Sequence, residues 1–120
     1  MKKKILVVDD EEGVRRILHM ILKNLGCEVL EAASGDDAIR IYGENRDIHA
    51  VITDLEMGPG MDGLEVVKLI RGISPAVRIC LASGALDSKP ELIEAARNAG
   101  SDLILHKPMN VSDLRRAVGL

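Results

Sequence analysis

Short apolar runs alternate with helical periodicity along the whole chain. Ile5-Leu6-Val7-Val8 predicts a strand, and Val14, Ile17, Leu18, Ile21, Leu22 and Leu25 follow at the spacing of one helix face. Gly26 is expected to close that helix, and Val29-Leu30 predicts a second strand. A helix is expected near Asp37–Tyr42, with Ala38, Ile41 and Tyr42 turned inward. Ala50-Val51-Ile52 predicts the third strand, and Leu64, Val67 and Ile70 mark a third helix ended by Gly72. Ile79-Cys80-Leu81 predicts the fourth strand. Pro90–Ala99 predicts the fourth helix, with Ser88 as its N-cap. Leu103-Ile104-Leu105 is the fifth strand, and Val111, Leu114 and Val118 give a last, short helix.

The pattern is βα repeated five times, with no linker, internal repeat or composition break. Strands that are continuously apolar are buried on both faces, which calls for a parallel sheet covered by helices. Right-handed crossovers then make the fold class α/β: an open, doubly wound five-stranded sheet with helices on both faces.

Composition narrows the class. One domain suits 120 residues, and the 47% apolar content supplies an aliphatic core although Phe and Trp are absent and Tyr occurs once. Charged residues at 29% fit a folded surface. A net charge of −3 and the scarcity of aromatics argue against nucleic-acid binding. No run reaches the roughly 18 apolar residues of a membrane span. Lys2-Lys3-Lys4 before Ile5 resembles the head of a signal peptide, but the apolar run stops at Asp9-Asp10-Glu11-Glu12, short of the roughly 7–15 residues a secretory core needs. A cytoplasmic location is expected. Cys27 and Cys80 lie in apolar surroundings without metal-ligand spacing and are read as reduced core residues.

In such a sheet, ligands collect beyond the carboxyl ends of the strands. The residues there are Asp9 and Asp10 after strand one, Thr53 and Asp54 after strand three, Ser83 after strand four, and His106-Lys107-Pro108 after strand five. Three carboxylates, a hydroxyl and a lysine thus meet at one edge. Carboxylates so close repel one another and resist ionisation unless a cation joins them. All-oxygen donors select a hard divalent ion, and Mg²⁺ fits best. A metal held this way suits phosphoryl chemistry, with Lys107 as a second positive charge, Ser83 as a neutral donor and one carboxylate as nucleophile.

These residues sit in segments that resemble the response-regulator receiver domain of two-component signalling: Val7-Val8-Asp9-Asp10-Glu11, Ile52-Thr53-Asp54-Leu55-Glu56-Met57, Gly60-Met61-Asp62-Gly63, Leu81-Ala82-Ser83-Gly84 and Lys107-Pro108. The resemblance runs from Lys4 to about Val118. It implies a flavodoxin-like strand order 2-1-3-4-5 and one receiver domain over residues 1–120, with no output domain in the chain. It implies that Asp54 is the phosphoacceptor, that Asp10, Asp54 and the backbone carbonyl of Glu56 ligate Mg²⁺, and that Asp9 acts through water. Lys107 would bind a phosphoryl oxygen, and Ser83 would move toward the phosphoryl group, carrying the fourth loop. The Lys107–Pro108 peptide would be cis. The implied function is a phosphorylation-dependent switch that catalyses only its own phosphorylation and slow dephosphorylation. Implied partners are a sensor histidine kinase or phosphotransfer protein upstream, and a target protein or C-terminal output domain downstream. The expected state is a monomer, with a phosphorylation-linked dimer through the last two helices and fifth strand as the alternative.

Four features depart from the family pattern. Gly58-Pro59-Gly60 holds one residue more than the usual turn after the acceptor, and the Ser83–Pro90 segment is slightly long. Ile104 stands where a Tyr or Phe often swings inward. Its branched Cβ restricts rotation, so the signal is expected to pass through the Ser83–Pro90 loop instead. Met109 follows Lys107-Pro108 where Phe is common.

Other readings of the same residues fit less well. A Mg²⁺-dependent aspartyl-phosphate phosphatase would need an insertion long enough to build a substrate site. A flavodoxin-like electron carrier would not place Asp9-Asp10-Glu11-Glu12 beside a flavin phosphate. Gly58-Pro59-Gly60-Met61-Asp62-Gly63 spells a dinucleotide-type G-x-G-x-x-G, but it follows the third strand, so a turn role fits it and Asp62. His19, His49 and His106 share no spacing and read as surface or half-buried positions. Glu11 and Glu12 read as favourable charge at a helix N-terminus. Arg15, Arg16, Arg115 and Arg116 read as solvated helix faces.

Overall fold

A computed structural model describes residues 2–120. Five strands, β1 (Lys4–Val8), β2 (Glu28–Ala32), β3 (Ala50–Asp54), β4 (Arg78–Ser83) and β5 (Leu103–His106), alternate with five helices. These are α1 (Glu12–Asn24), α2 (Gly35–Glu44), α3 (Gly63–Ile73), α4 (Glu91–Ala99) and α5 (Val111–Val118). All pairings are parallel, and the strand order is β2-β1-β3-β4-β5, as the resemblance implies.

The apolar runs divide residue by residue between two cores. Leu6, Val8, Val51, Ile79 and Leu81 pack against α2, α3 and α4 through Ala38, Tyr42, Val66, Val67, Ile70 and Ala96. Ile5, Val7, Ala50, Ile52, Cys80 and Leu105 face α1 and α5 through Leu18, Leu22, Leu114, Ala117 and Val118. Helices therefore cover both faces, which is why the central strands show no polar alternation. The edge strands β2 and β5 are only partly buried. Both cysteines are unpaired and buried in the α1/α5 core, and burial pushes the Cys80 thiol up to about 12.

The structure corrects several local expectations. Ile17 is 59% exposed, so the inward face of α1 runs through Leu18 and Leu22 instead. Ile41 does turn inward with Ala38 and Tyr42 as expected, packing half-buried against the core in which those two are fully buried. Gly72 does not end α3, which continues to Ile73. Ser88 does not cap α4: its hydroxyl donates to the Ala85 carbonyl inside the preceding turn, and Pro90 stands at the cap position without a side-chain hydrogen bond. Three other helices carry the caps their sequences allow. Ser34 accepts from the Asp37 amide, and Asp62 and Asn110 form reciprocal capping boxes with Glu65 and Asp113.

Strands β3, β4 and β5 run one or two residues beyond their apolar cores. Asp54 and Ser83 are therefore the last residues of strands, set in the rigid ladder opposite Ala82 and His106. This register holds the polar residues of the carboxyl edge in fixed relation.

Candidate functional site: an acidic cluster at the carboxyl edge

Asp9 and Asp10 follow β1, and Asp54 ends β3. One carboxylate oxygen from each lies within 4.8 Å of the others. Asp9 is 2% exposed, and both its oxygens are engaged: Oδ1 accepts from the Glu11 amide at 2.9 Å and Oδ2 from Lys107 Nζ at 3.1 Å. Asp10 is exposed at the mouth of the cluster. Asp54 is 4% exposed, and its Oδ1 lies 3.1 Å from Lys107 Nζ without hydrogen-bond alignment. Among the described residues it is the one buried side-chain oxygen or nitrogen left without a hydrogen-bond partner.

The electrostatics follow from this arrangement. Burial pushes the Asp54 carboxyl up to about 6 against the pull of Lys107, and the nearby charges of Asp9 and Glu56 add to the rise. Burial also works against the charge of Lys107, but Asp54 and Asp9 together outweigh it and hold the ammonium above its ordinary value. A buried carboxylate with an orphaned oxygen, beside two further carboxylates and a single lysine, is short of positive charge. The all-oxygen donor set fits a hard divalent cation.

Lys107 follows β5 and is anchored by its backbone, whose amide donates to the Ser83 carbonyl at 3.0 Å. The Lys107–Pro108 peptide is cis, as the resemblance implies, and Gly58–Pro59 is cis as well. Ser83 is fully buried, and its hydroxyl donates to Glu56 Oε2 at 2.7 Å. The sequence brought Ser83 to this edge but not to that partner. The resemblance assigns Glu56 only a backbone carbonyl, and the engagement of its side chain depends on how β3 and β4 end side by side.

Two further supports escaped sequence reasoning. Arg15 is not a solvated side chain: it donates to the Asp9 carbonyl at 2.8 Å and to Glu31 at 3.3 Å, and His19 Nδ1 meets the other Glu31 oxygen at 2.7 Å. Arg16 is solvated and pairs with Glu12. Gly63 opens α3 directly against the end of β3. A Cβ there would overlap the Asp54 carbonyl oxygen and lie 2.7 Å from Leu55 Cα. In the G-x-G-x-x-G segment, Gly60 takes a φ of +105° for the turn, and Gly63 permits this close approach.

The remaining candidates fall outside the cluster. Glu11 and Glu12 are exposed at the start of α1. His106 is exposed, and Ile104 is half-buried beside Leu86 and Ile93. His49 Nε2 lies 3.1 Å from the Val118 carbonyl at the end of α5. No helix among the described residues is long and apolar enough to cross a membrane.

A doubly wound sheet of order 2-1-3-4-5 with an aspartate cluster and a lysine at its carboxyl edge defines a receiver-like class. The family model for the response regulator receiver domain matches residues 5–119, and the chain belongs to that family. It is similar to sporulation initiation phosphotransferase F of Bacillus subtilis, 32% identical over 120 residues that span 98% of this chain and 92% of the relative. The transcriptional regulatory protein PrrA of Mycobacterium tuberculosis is 36% identical over 111 residues, and there the match spans 92% of this chain but 46% of the longer protein. The fold is similar to that of the Vibrio cholerae chemotaxis protein CheY4, with a TM-score of 0.89, 29% identity and coverage of 99% and 98% of the two chains. Family membership makes the chain a phosphoryl-accepting signalling switch of the two-component kind rather than an enzyme acting on an external substrate.

Proposed function

We propose that Asp54 is the residue that accepts the phosphoryl group. The observation that carries this reading is its buried, unpartnered Oδ1 beside Lys107. An Asp54 oxygen attacks the phosphorus of a phosphohistidine or a small acyl phosphate. The new O–P bond forms as the bond to the donor nitrogen or oxygen breaks, and the leaving group takes that electron pair. Lys107 meets a phosphoryl oxygen with its ammonium, and Ser83 supplies a hydroxyl donor once the phosphoryl group is present. Water attack on the resulting acyl phosphate returns Asp54 to its free carboxylate, so the chain catalyses its own labelling and resetting.

The donor set supports a bound Mg²⁺ held by Asp10, Asp54 and the backbone carbonyl of Glu56. Asp9 contributes through water, because its own oxygens are already occupied by Glu11 and Lys107. When bound, the ion offsets negative charge on the transferring phosphoryl group.

The phosphodonor partner is a sensor histidine kinase or a phosphotransfer protein. The reader of the signal is a target protein or an output domain, and the family match over residues 5–119 supports treating the chain as one receiver unit. Borohydride reduction of the labelled protein followed by peptide mapping tests the assignment. Conversion of Asp54 is expected, and conversion of Asp9 or Asp10 in its place would overturn it.

A further inference from the structure

The side chain of Glu56 has no part in the chemistry above, yet both its oxygens are taken. Oε2 accepts from the Ser83 hydroxyl at 2.7 Å, and Oε1 accepts from the Gly84 amide at 3.3 Å. The Ser83 hydroxyl in turn accepts from the Ala85 amide at 3.0 Å. The Ser83 backbone is fixed, because it ends β4 and its carbonyl accepts from Lys107. The turn beyond it is closed on itself, with the Lys89 amide and the Ser88 hydroxyl both donating to the Ala85 carbonyl. A serine hydroxyl has one proton to give. While Glu56 holds that proton, none is available to a group at Asp54.

We propose that Glu56 is a positioning residue, a latch that holds the Ser83 hydroxyl and the first residues of the β4–α4 turn in their resting arrangement. The inference rests on the reading of Asp54 as acceptor and of Ser83 as donor to its phosphoryl group. No covalent bond of Ser83 or Glu56 changes when the latch opens. The Ser83 proton stays on Oγ and exchanges one anionic acceptor, the Glu56 carboxylate, for another, a phosphoryl oxygen on Asp54. Glu56 is then released to water, Gly84 loses its acceptor, and the turn is free to shift. Because a charged acceptor makes the stronger kind of hydrogen bond, the latch biases the equilibrium toward the resting form until the phosphoryl group competes. Glu56 thereby slows labelling and joins the state of Asp54 to the β4–α4 turn.

Labelling rates with acetyl phosphate and Mg²⁺, read by intact mass, test this in the parent, Glu56→Ala, Glu56→Gln, Ser83→Ala and the Glu56→Ala/Ser83→Ala pair. Glu56→Ala is expected to label about tenfold faster or more, the scale of losing a hydrogen bond to a charged acceptor. Glu56→Gln falls between the two, since one oxygen remains to accept. In the Ser83→Ala background the gain disappears, because there is no hydroxyl to release. If Glu56 merely repels the incoming donor by its charge, Gln and Ala accelerate equally and the gain survives in Ser83→Ala; either result overturns the latch. Hydrogen exchange of the Gly84 and Ala85 amides in the unlabelled proteins decides the matter without phosphoryl chemistry. Faster exchange in Glu56→Ala upholds the latch, and unchanged exchange refutes it, while failure of every variant to label counts against the acceptor reading alone.

Discussion

The Lys107 ammonium lies 3.1 Å from Asp54 Oδ1 without donating a hydrogen bond to it. Its aligned donor goes to Asp9, at the same distance. One cation thus neutralises two buried carboxylates but satisfies only one of them. The oxygen left over is the one that the proposed chemistry uses.

Removing that cation should be felt in stability as well as in labelling. Lys107→Ala leaves Asp9 and Asp54 facing each other with no positive group, and raises the Asp54 carboxyl further above its already elevated value. A loss of about 1–2 kcal/mol at pH 7.5 is expected, discounted because Lys107 is partly solvated. Near pH 4.5 Asp54 is protonated in both proteins, and the loss should shrink. Urea unfolding at the two pH values, without divalent cations, makes the comparison. An equal loss at both would contradict this account of the charges.

Asp54 itself is a stability liability in the resting protein. Its folded-state carboxyl titrates near 6, above the ordinary 3.8, so the folded chain holds a proton that the unfolded chain has already released. With the folded value raised, this group's contribution is most favourable below about pH 4 and is lost as pH rises through about 6. Asp54→Asn removes the ionisation and should stabilise the protein by about 1–3 kcal/mol at pH 7.5, with little gain at pH 4. A destabilised Asp54→Asn at pH 7.5 would show that burial does not govern this carboxyl.

Gly63 sets how closely α3 approaches the end of β3. Gly63→Ala places a methyl group against the backbone of Asp54 and Leu55, which cannot move aside as a flexible side chain would. The cost should be about 1–3 kcal/mol, the usual scale of overpacking. Labelling should slow with it, because the displaced atoms belong to Asp54, the proposed acceptor. Thermal unfolding and labelling rates in one preparation check both effects, and Gly60→Ala, whose Cβ would meet nothing within 4 Å, separates backbone strain from overlap.

Much of this site was legible in the sequence because the fold does the gathering. Ile5–Val8, Ala50–Ile52 and Ile79–Leu81 declare buried parallel strands, and the residues after each strand then share an edge. Asp9, Asp10, Asp54, Ser83 and Lys107 follow from that rule alone. What periodicity cannot carry is the partner of a polar side chain. Arg15 reads as a surface charge in the chain, Glu56 enters only through its backbone carbonyl, and nothing in the pattern singles out Arg71. In the fold, Glu56 grips Ser83, Arg15 braces the Asp9 carbonyl, and Arg71 donates to the carbonyls of Pro75, Val77 and Gly100 and to Asp102. These contacts join residues from different elements, so their geometry exists only once the elements are packed. Ile17 fails for a related reason: it has helical spacing, but the rotation of α1 on the sheet is set by Leu18 and Leu22.

The central claim is that Asp54 takes the phosphoryl group, and intact mass after incubation with Mg²⁺ and acetyl phosphate addresses it most directly. One phosphoryl group should be added to the parent, dependent on Mg²⁺, and none to Asp54→Asn, which should remain folded because it loses a buried ionisable group. Undiminished labelling of Asp54→Asn would contradict that claim.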